Sequence, residues 1–111
     1  MKNLTKNELI KIYDTGKNLT DKPIFIDFYA DWWGPCKMFE QVLNEITPEY
    51  EDKINMYKVD IDKEREIASL FGVRGIPFTT MISKNGDKST NVGGMDAGTL
   101  EYYLKGLIQK K

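Results

Sequence analysis

The sequence predicts an α/β fold: a central mixed sheet of four or five strands with helices on both faces. Short apolar segments alternate with segments of helical periodicity, which is the order expected of parallel strands joined by crossover helices. Two further strand segments then flank Asn85-Gly86, a dipeptide typical of tight antiparallel hairpins. The 111 residues are enough for one domain, which we expect to span residues 1–111.

The first helix is predicted over residues 6–15, because Thr5 and Glu8 have the spacing of a capping box. Gly16 then follows as its C-terminal cap. Only four residues precede the capping box, so the sequence leaves open whether a first short strand exists. This is why the sheet is expected to contain either four or five strands.

The next strand is the apolar segment 24–29, in which Asp27 is the one charged residue. Such a nearly continuous apolar run is typical of a strand that is buried on both faces. It leads into the segment Trp32-Trp33-Gly34-Pro35-Cys36, where Pro35 suits the first turn of a second helix because its missing N–H leaves nothing unpaired there. We expect Pro48 to end or kink that helix.

The second half of the chain continues the alternation and then changes to a hairpin. A strand is predicted over residues 54–60, and a helix over residues 63–71 with Asp62 as its N-cap. Antiparallel strands are predicted over residues 78–83 and 89–92. In such sheets, sites lie just beyond the carboxyl ends of strands, which is where segment 33–36 lies.

The last predicted helix begins after Asp96, which can serve as its N-cap. Its spacing predicts one apolar face against the sheet. The residues of this face are Leu100, Tyr103, Leu104, Leu107 and Ile108.

Composition excludes several classes of function. With 16 basic and 17 acidic residues the net charge is −1, so we expect no nucleic-acid partner. The single cysteine favours a reducing compartment, the cytoplasm, and no export signal or membrane-spanning run of ~20 apolar residues is visible. The absence of histidine excludes Ser-His, Cys-His and His-metal chemistry, and we expect neither a metal nor a cofactor.

Three separated motifs resemble those of the thioredoxin family, in the same order. Segment 28–38 is similar to the active-site stretch of that family, residues 58–62 to its middle strand, and residues 72–77 to its cis-proline loop. The resemblance covers nearly the whole chain. It implies a thioredoxin fold and thiol-disulfide exchange in redox homeostasis, with protein disulfides as substrates and a thioredoxin reductase as partner. Trp33, however, stands where the family has its attacking cysteine.

The resemblance also implies roles for individual residues. The residues implied to carry chemistry are Cys36 as the resolving thiol, Asp27 as the carboxylate that handles its proton, Lys58 as the neighbour of that carboxylate, and Pro77 as the cis-proline. The residues implied to shape the turn or line a peptide groove are Trp32, Gly34, Pro35, Gly75, Ile76 and Gly93. A cis bond before Pro77 would leave the backbone of Ile76 free to pair with an extended peptide.

Each of these residues also has a purely structural interpretation. A buried aspartate is costly unless it is paired or protonated, so Asp27 is alternatively an ion-pair partner of Lys58. A lone cysteine is most often an inert core residue, and most X–Pro bonds are trans. Trp32 and Trp33 are alternatively core residues, although at an active-site turn we expect both to be at least half exposed.

Three functions remain open, because disulfide exchange needs one thiolate to attack and a second thiol to resolve. In the first, the parent protein is a dithiol reductase whose turnover Trp33 abolishes, through engineering or natural loss. In the second, the chain is a non-catalytic module that binds extended peptides. In the third, Cys36 alone forms a mixed disulfide with glutathione, a partner or a second copy. We expect a monomer, and a Cys36-linked dimer under the third function.

Overall fold

A five-stranded mixed sheet forms the centre of the molecule. The structure, a computed structural model, describes residues 1–110, and Lys111 of the predicted domain lies outside them. In chain order the strands are β1 (Lys2–Asn3), β2 (Tyr13–Asp14), β3 (Lys17–Asn18), β4 (Ile24–Tyr29), β5 (Asn55–Asp60), β6 (Phe78–Ile82) and β7 (Lys88–Val92). The helices are α1 (Lys6–Ile12), α2 (Gly34–Ile46), α3 (Arg65–Leu70) and α4 (Ala97–Gln109).

The sheet has the strand order β1-β5-β4-β6-β7, with β4 at its centre. Strands β1, β5 and β4 run parallel, whereas β6 is antiparallel to both β4 and β7. The five-strand alternative is therefore correct. The first strand has only two residues, and the N–H of Leu4 extends its pairing by donating to the Lys58 carbonyl at 3.0 Å.

Two hydrophobic cores lie on the two faces of the sheet, and the alternation of side chains along β4 assigns them. Ile24, Ile26 and Phe28 face the core that also contains residues of α1 and α3. Phe25 faces the opposite core, which contains residues of α2 and α4. Since Asp27 follows Phe25 by two positions, it lies on the α2/α4 face. None of the helices within residues 1–110 is both long and apolar enough to cross a membrane.

The start of α1 is correctly predicted, but its end is not. The Thr5 hydroxyl accepts a hydrogen bond from the Glu8 N–H at 3.2 Å, as expected of an N-cap. The helix ends at Ile12 instead of continuing to residue 15, because Tyr13–Asp14 pair with Lys17–Asn18 in an antiparallel hairpin. Gly16 therefore lies in the turn of this hairpin, with φ +75°, and is not a helix cap.

The later helices follow the prediction with two exceptions. Asp96 caps α4 by accepting a hydrogen bond from the Thr99 N–H at 2.8 Å, as predicted. Tyr103 is 41% exposed and so does not belong to the buried face of α4. Helix α3 begins at Arg65, and its N-cap position is occupied by Glu64 instead of the predicted Asp62. Helix α2 ends at Ile46, where a short 3-10 turn containing Pro48 follows as expected.

The β2–β3 hairpin packs closely against the turn between β6 and β7. The Asn18 amide donates hydrogen bonds to the carbonyls of Lys22 (2.7 Å) and Ser83 (3.2 Å), which links the two segments. At the point of closest approach, Gly86 has φ +93°, and a Cβ there would clash with the Gly16 carbonyl. Glycine at position 86 thus meets both a backbone and a packing requirement.

Candidate functional site

The segment between β4 and α2 places the single cysteine at the start of a helix. Trp33 is the N-cap residue of α2, with extended backbone angles (φ −100°, ψ 117°) and no capping hydrogen bond from its side chain. Its carbonyl accepts hydrogen bonds from the N–H groups of Cys36 at 3.1 Å and Lys37 at 3.3 Å. Gly34 and Pro35 form the first turn. In this geometry Cys36 is only 5% exposed, while Trp33 faces the surface.

Asp27, Cys36 and Lys58 meet around one small cavity of about 30 Å³. Asp27 and Lys58 are direct neighbours in the parallel register of β4 and β5, and Cys36 reaches the same cavity from α2. The other residues that line it are Met1, Tyr29, Glu40, Leu43 and Asn44. The cavity brings together three of the four residues that the resemblance implies to carry chemistry.

Asp27 is a buried carboxyl without a direct partner for one of its oxygens. It is 6% exposed, and its Oδ1 has no hydrogen bond within the described residues. No ion pair joins it to Lys58 in residues 1–110, and the Lys58 ammonium lies instead 5.8 Å from the centroid of the Tyr29 ring. The alternative of a structural Asp27–Lys58 ion pair is therefore wrong.

The electrostatic surroundings of Asp27 favour its protonated form. Burial, and then the negative charge of Glu40, raise the pKa of Asp27 from 3.8 to about 7, although the positive charge of Lys58 opposes the shift. A carboxyl with a pKa near neutral pH can both accept and donate a proton. This is the property that proton exchange with a neighbouring thiol requires.

The Cys36 thiol is also shifted towards its protonated form. Burial raises its pKa above the ordinary value, a hydrogen bond with the backbone of Ala30 opposes the shift, and the charge of Asp27 adds to it. The start of a helix favours a thiolate. Here burial outweighs that effect, so Cys36 is chiefly a thiol at neutral pH.

The loop before β6 forms a second part of the site. The Ile76–Pro77 peptide bond is cis, and the Pro77 carbonyl accepts a hydrogen bond from the Gly93 N–H at 2.7 Å. The loop also lies close to the end of β7, because a Cβ placed on Gly75 would be 3.3 Å from the Val92 side chain. Within residues 1–110 the backbone of Ile76 forms no hydrogen bond with another backbone group. No backbone hydrogen bond therefore ties Ile76 to a neighbouring segment of the described residues.

The two tryptophans lie at the surface with their rings edge to face, 5.9 Å between centroids. Trp32 is 68% exposed, as expected, whereas Trp33 is 43% exposed and falls short of the expected half because it packs against its neighbour. The Trp32 indole N–H donates a hydrogen bond to the Asp62 carboxylate at 2.8 Å. This bond occupies the carboxylate of Asp62, which the sequence predicts as the N-cap of a helix.

An open apolar groove of about 430 Å³ lies beside the turn, and sequence reasoning did not identify it. Met38, which is 72% exposed, lies on its surface. The residues that line the groove are Pro35, Met38, Phe39, Val42, Gly94, Met95 and Asp96. They come from the first turns of α2 and from the segment between β7 and α4, so only the tertiary fold reveals the groove.

Glu40 and Asn44 are the polar cavity residues that sequence reasoning missed. Both follow Cys36 at helical spacing, by four and by eight residues, so the pattern could have placed them on the same face of α2. Among the described residues, no group of three or more Cys, Asp or Glu side chains is arranged to hold a metal ion. The ionisable side chains on the cavity wall are the Cys36 thiol, the Asp27 and Glu40 carboxyls, the Lys58 ammonium and the Tyr29 phenol, and Met1 brings the chain terminus to the same wall.

Comparisons with known proteins agree with this arrangement. The family model described as thioredoxin matches residues 5–106. The chain is 40% identical to a thioredoxin of Borreliella burgdorferi over 77% of this chain and 73% of that protein. It is 45% identical to thioredoxin 1 of a Nostoc species, over 78% and 80% of the two chains. The crystal structure of a thioredoxin from Malassezia sympodialis superimposes with a TM-score of 0.77 at 35% identity, covering 94% of this chain and 86% of the other.

Proposed function

The chain belongs to the thioredoxin family of thiol-disulfide exchange proteins, and we propose that it keeps the scaffold of a disulfide reductase but lacks dithiol turnover. The observation that carries this proposal is the position of Trp33 at the N-cap of α2, with the single cysteine three residues later and buried. Disulfide reduction needs an attacking thiolate that forms a mixed disulfide and a second thiol that releases the product. With a single thiol, which is buried, the chain lacks the attacking group of the first step.

In this proposal the parent activity is the reduction of protein disulfides, with electrons from a thioredoxin reductase. A thiolate at position 33 would attack the substrate disulfide, release one substrate thiolate and leave a mixed disulfide. Cys36 would then attack the sulfur at position 33, release the second substrate thiol and leave an internal disulfide for the reductase to reduce. Asp27 would accept the proton of Cys36 across their shared cavity.

Restoring the thiol tests the proposal. We expect Trp33→Cys to reduce insulin disulfides with dithiothreitol as electron donor at least about tenfold faster than the unaltered chain, which should not exceed the rate with dithiothreitol alone. Trp32→Cys is the matched control, because it adds the same thiol one residue away at a spacing that the turn does not support. If Trp33→Cys were no faster than Trp32→Cys, the scaffold would not be that of a reductase.

A second candidate function is the binding of extended peptides without exchange. Three surface features favour it: the exposed tryptophan pair, the apolar groove beside it and the free backbone groups of Ile76. An aromatic pair next to an apolar groove offers contact area, and an unpaired backbone segment offers hydrogen bonds to an extended chain. The proposed partner for this function is therefore an unfolded or extended protein segment with apolar side chains.

Binding to a cysteine-free peptide separates the two candidates. We expect the S-carboxymethylated insulin B chain to bind Cys36→Ser as tightly as the unaltered chain, and Trp33→Ala about tenfold more weakly because an aromatic contact is lost. The dissociation constants of the unaltered chain and of Cys36→Ser are measured by quenching of the tryptophan fluorescence. That of Trp33→Ala, which has lost one of the two tryptophans, is measured by calorimetry. Equal affinity for Trp33→Ala, or loss of binding in Cys36→Ser, would rule out the peptide-binding function.

The remaining alternative, a monothiol function through Cys36, has less support. The sulfur is 5% exposed, and burial raises its pKa, so both its access to partners and its thiolate fraction are reduced. The same burial disfavours a Cys36-linked dimer, and we propose that the chain acts as a monomer. We propose a cytoplasmic location because a chain with a single cysteine suits a reducing compartment.

A further inference from the structure

Glu40 shares the cavity of the buried Asp27 but belongs to the surface of the molecule. It lies one helical turn after Cys36 on α2, so both side chains point to the same side of the helix. Glu40 is exposed, whereas Asp27 and Cys36 are buried. Because Glu40 also lines the cavity, it connects the buried pair with the solvent.

Ionisable groups reach the surroundings of Asp27 from β4, β5, α2 and the chain terminus, whereas β6, its antiparallel neighbour, places Thr79 beside it. Strand β4 contributes Tyr29, and β5 contributes Lys58 and, opposite Tyr29, Asp60. Helix α2 contributes Cys36 and Glu40. The chain terminus contributes the Met1 ammonium, which is paired with Glu51 at 3.4 Å.

Within this group, Glu40 supplies the second carboxylate on the cavity wall. The Oδ1 of Asp60 is occupied by the backbone N–H of Asp62, at 2.9 Å. Asp27 thus faces one cation, Lys58, and one anion, Glu40, across the same space. Two carboxylates that share a site resist double ionisation, since like charges disfavour each other.

The cavity between the two carboxyls has room for a water molecule. A volume of about 30 Å³ exceeds the ~10–15 Å³ that one water molecule needs, and its walls carry polar groups of Asp27, Lys58 and Asn44. The Oδ1 of Asp27 has no protein partner within the described residues. No hydrogen bond within residues 1–110 joins the carboxyls of Asp27 and Glu40, so the charge of Glu40 acts on Asp27 across this small space.

We propose that Glu40 is a positioning residue of this site: acting across the cavity, its negative charge adds to the effect of burial in keeping the proton on Asp27, and through Asp27 it influences when the Cys36 thiol loses its own proton. The inference rests on the proton-handling role proposed for Asp27. No electrons move in this step. A proton passes from the Cys36 sulfur to the Asp27 carboxylate, and the charge of Glu40 raises the pH at which that carboxylate becomes free to accept it.

The titration of Asp27, followed by the ¹³C chemical shift of its carboxyl group, tests the proposal directly. In Glu40→Gln we expect the titration midpoint of Asp27 to move down by about 0.5 to 1 pH unit, because a negative charge is removed. Glu45→Gln removes the same charge from an exposed position of α2 outside the cavity, and should leave the midpoint within about 0.2 pH unit. Glu40→Asp retains the charge and should restore most of the shift. An unchanged midpoint in Glu40→Gln would overturn the inference.

A second readout separates this inference from the proposed role of Asp27. The ¹³Cβ shift of Cys36 should show an inflection at the midpoint of Asp27, and this inflection should move with it in Glu40→Gln. In Asp27→Asn the inflection should disappear. If it persists in Asp27→Asn, Asp27 does not handle the thiol proton. If it disappears there but does not move in Glu40→Gln, the role of Asp27 stands and that of Glu40 fails.

Discussion

At the scale of the residue, Asp27 shows how a functional group is retained at the expense of stability. It follows Phe25, a core residue on the same face of β4, and within residues 1–110 it has no ion pair to compensate its burial. A buried carboxylate without a partner destabilises the folded state, and protonation relieves the cost. The stability of the chain should therefore depend on pH through this one group.

The sign of that dependence follows from the two pKa values of Asp27. The pKa of about 7 in the folded chain exceeds the ordinary value of 3.8, so the folded state binds the proton more tightly than the unfolded state. The resulting stability is fully present below pH about 4 and is lost as the pH rises through about 7. Asp27→Asn should therefore raise the free energy of unfolding by about 2–4 kcal/mol at pH 8 and leave it almost unchanged at pH 4.

Urea unfolding at pH 4 and pH 8 measures this difference. Asp21→Asn removes a carboxylate from an exposed loop and is expected to change the free energy of unfolding by less than about 0.5 kcal/mol at either pH. An Asp27→Asn effect that is the same at both pH values would show that the gain comes from packing and not from ionisation.

At the scale of the element, the contact between the β2–β3 hairpin and the β6–β7 turn is the tightest constraint on sequence. Both turns contain a glycine with positive φ, Gly16 and Gly86. They differ in their surroundings, because a Cβ at Gly16 would meet no atom within 4 Å, whereas a Cβ at Gly86 would clash with the carbonyl of Gly16. The two positions therefore separate the cost of backbone conformation from the cost of a steric clash.

Alanine substitution at the two glycines measures these costs. Gly16→Ala should lower the free energy of unfolding by about 1–2 kcal/mol, which is the cost of positive φ for a residue with a side chain. Gly86→Ala should lower it by about 3–5 kcal/mol, because the hairpin must also move away. If urea unfolding showed equal losses of free energy for the two variants, the β2–β3 hairpin would be able to move away from position 86 without destabilising the fold.

The same elements show where local sequence signals suffice. The cap at Asp96 and the turn at Asn85-Gly86 were predicted correctly, because each depends on residues that are close together in the chain. The end of α1 and the start of α3 were not. Tyr13 leaves the helix to pair with Asn18, and Asp62 binds the Trp32 indole from 30 residues away, so tertiary contacts override the local preference.

At the scale of the whole molecule, the sheet determines which candidate residues can cooperate. The parallel register of β4 and β5 places Asp27 beside Lys58, and the crossover through α2 returns Cys36 to the same face. The position of the site beyond the end of β4 could be predicted from the order of elements alone. The helical spacing from Cys36 indicates the face of α2 on which Glu40 lies, but its place on the wall of the Asp27 cavity depends on how α2 packs against the sheet.

The burial of the single cysteine has a practical consequence for the study of motion in this chain. Because Cys36 is only 5% exposed, we expect a thiol reagent to reach its sulfur when the first turn of α2 separates from the sheet. The labelling rate, divided by the rate for an unfolded chain, then equals the fraction of time that this region is open. Without any introduced cysteine, the chain thus carries a natural probe of local opening at the point where α2 meets the sheet.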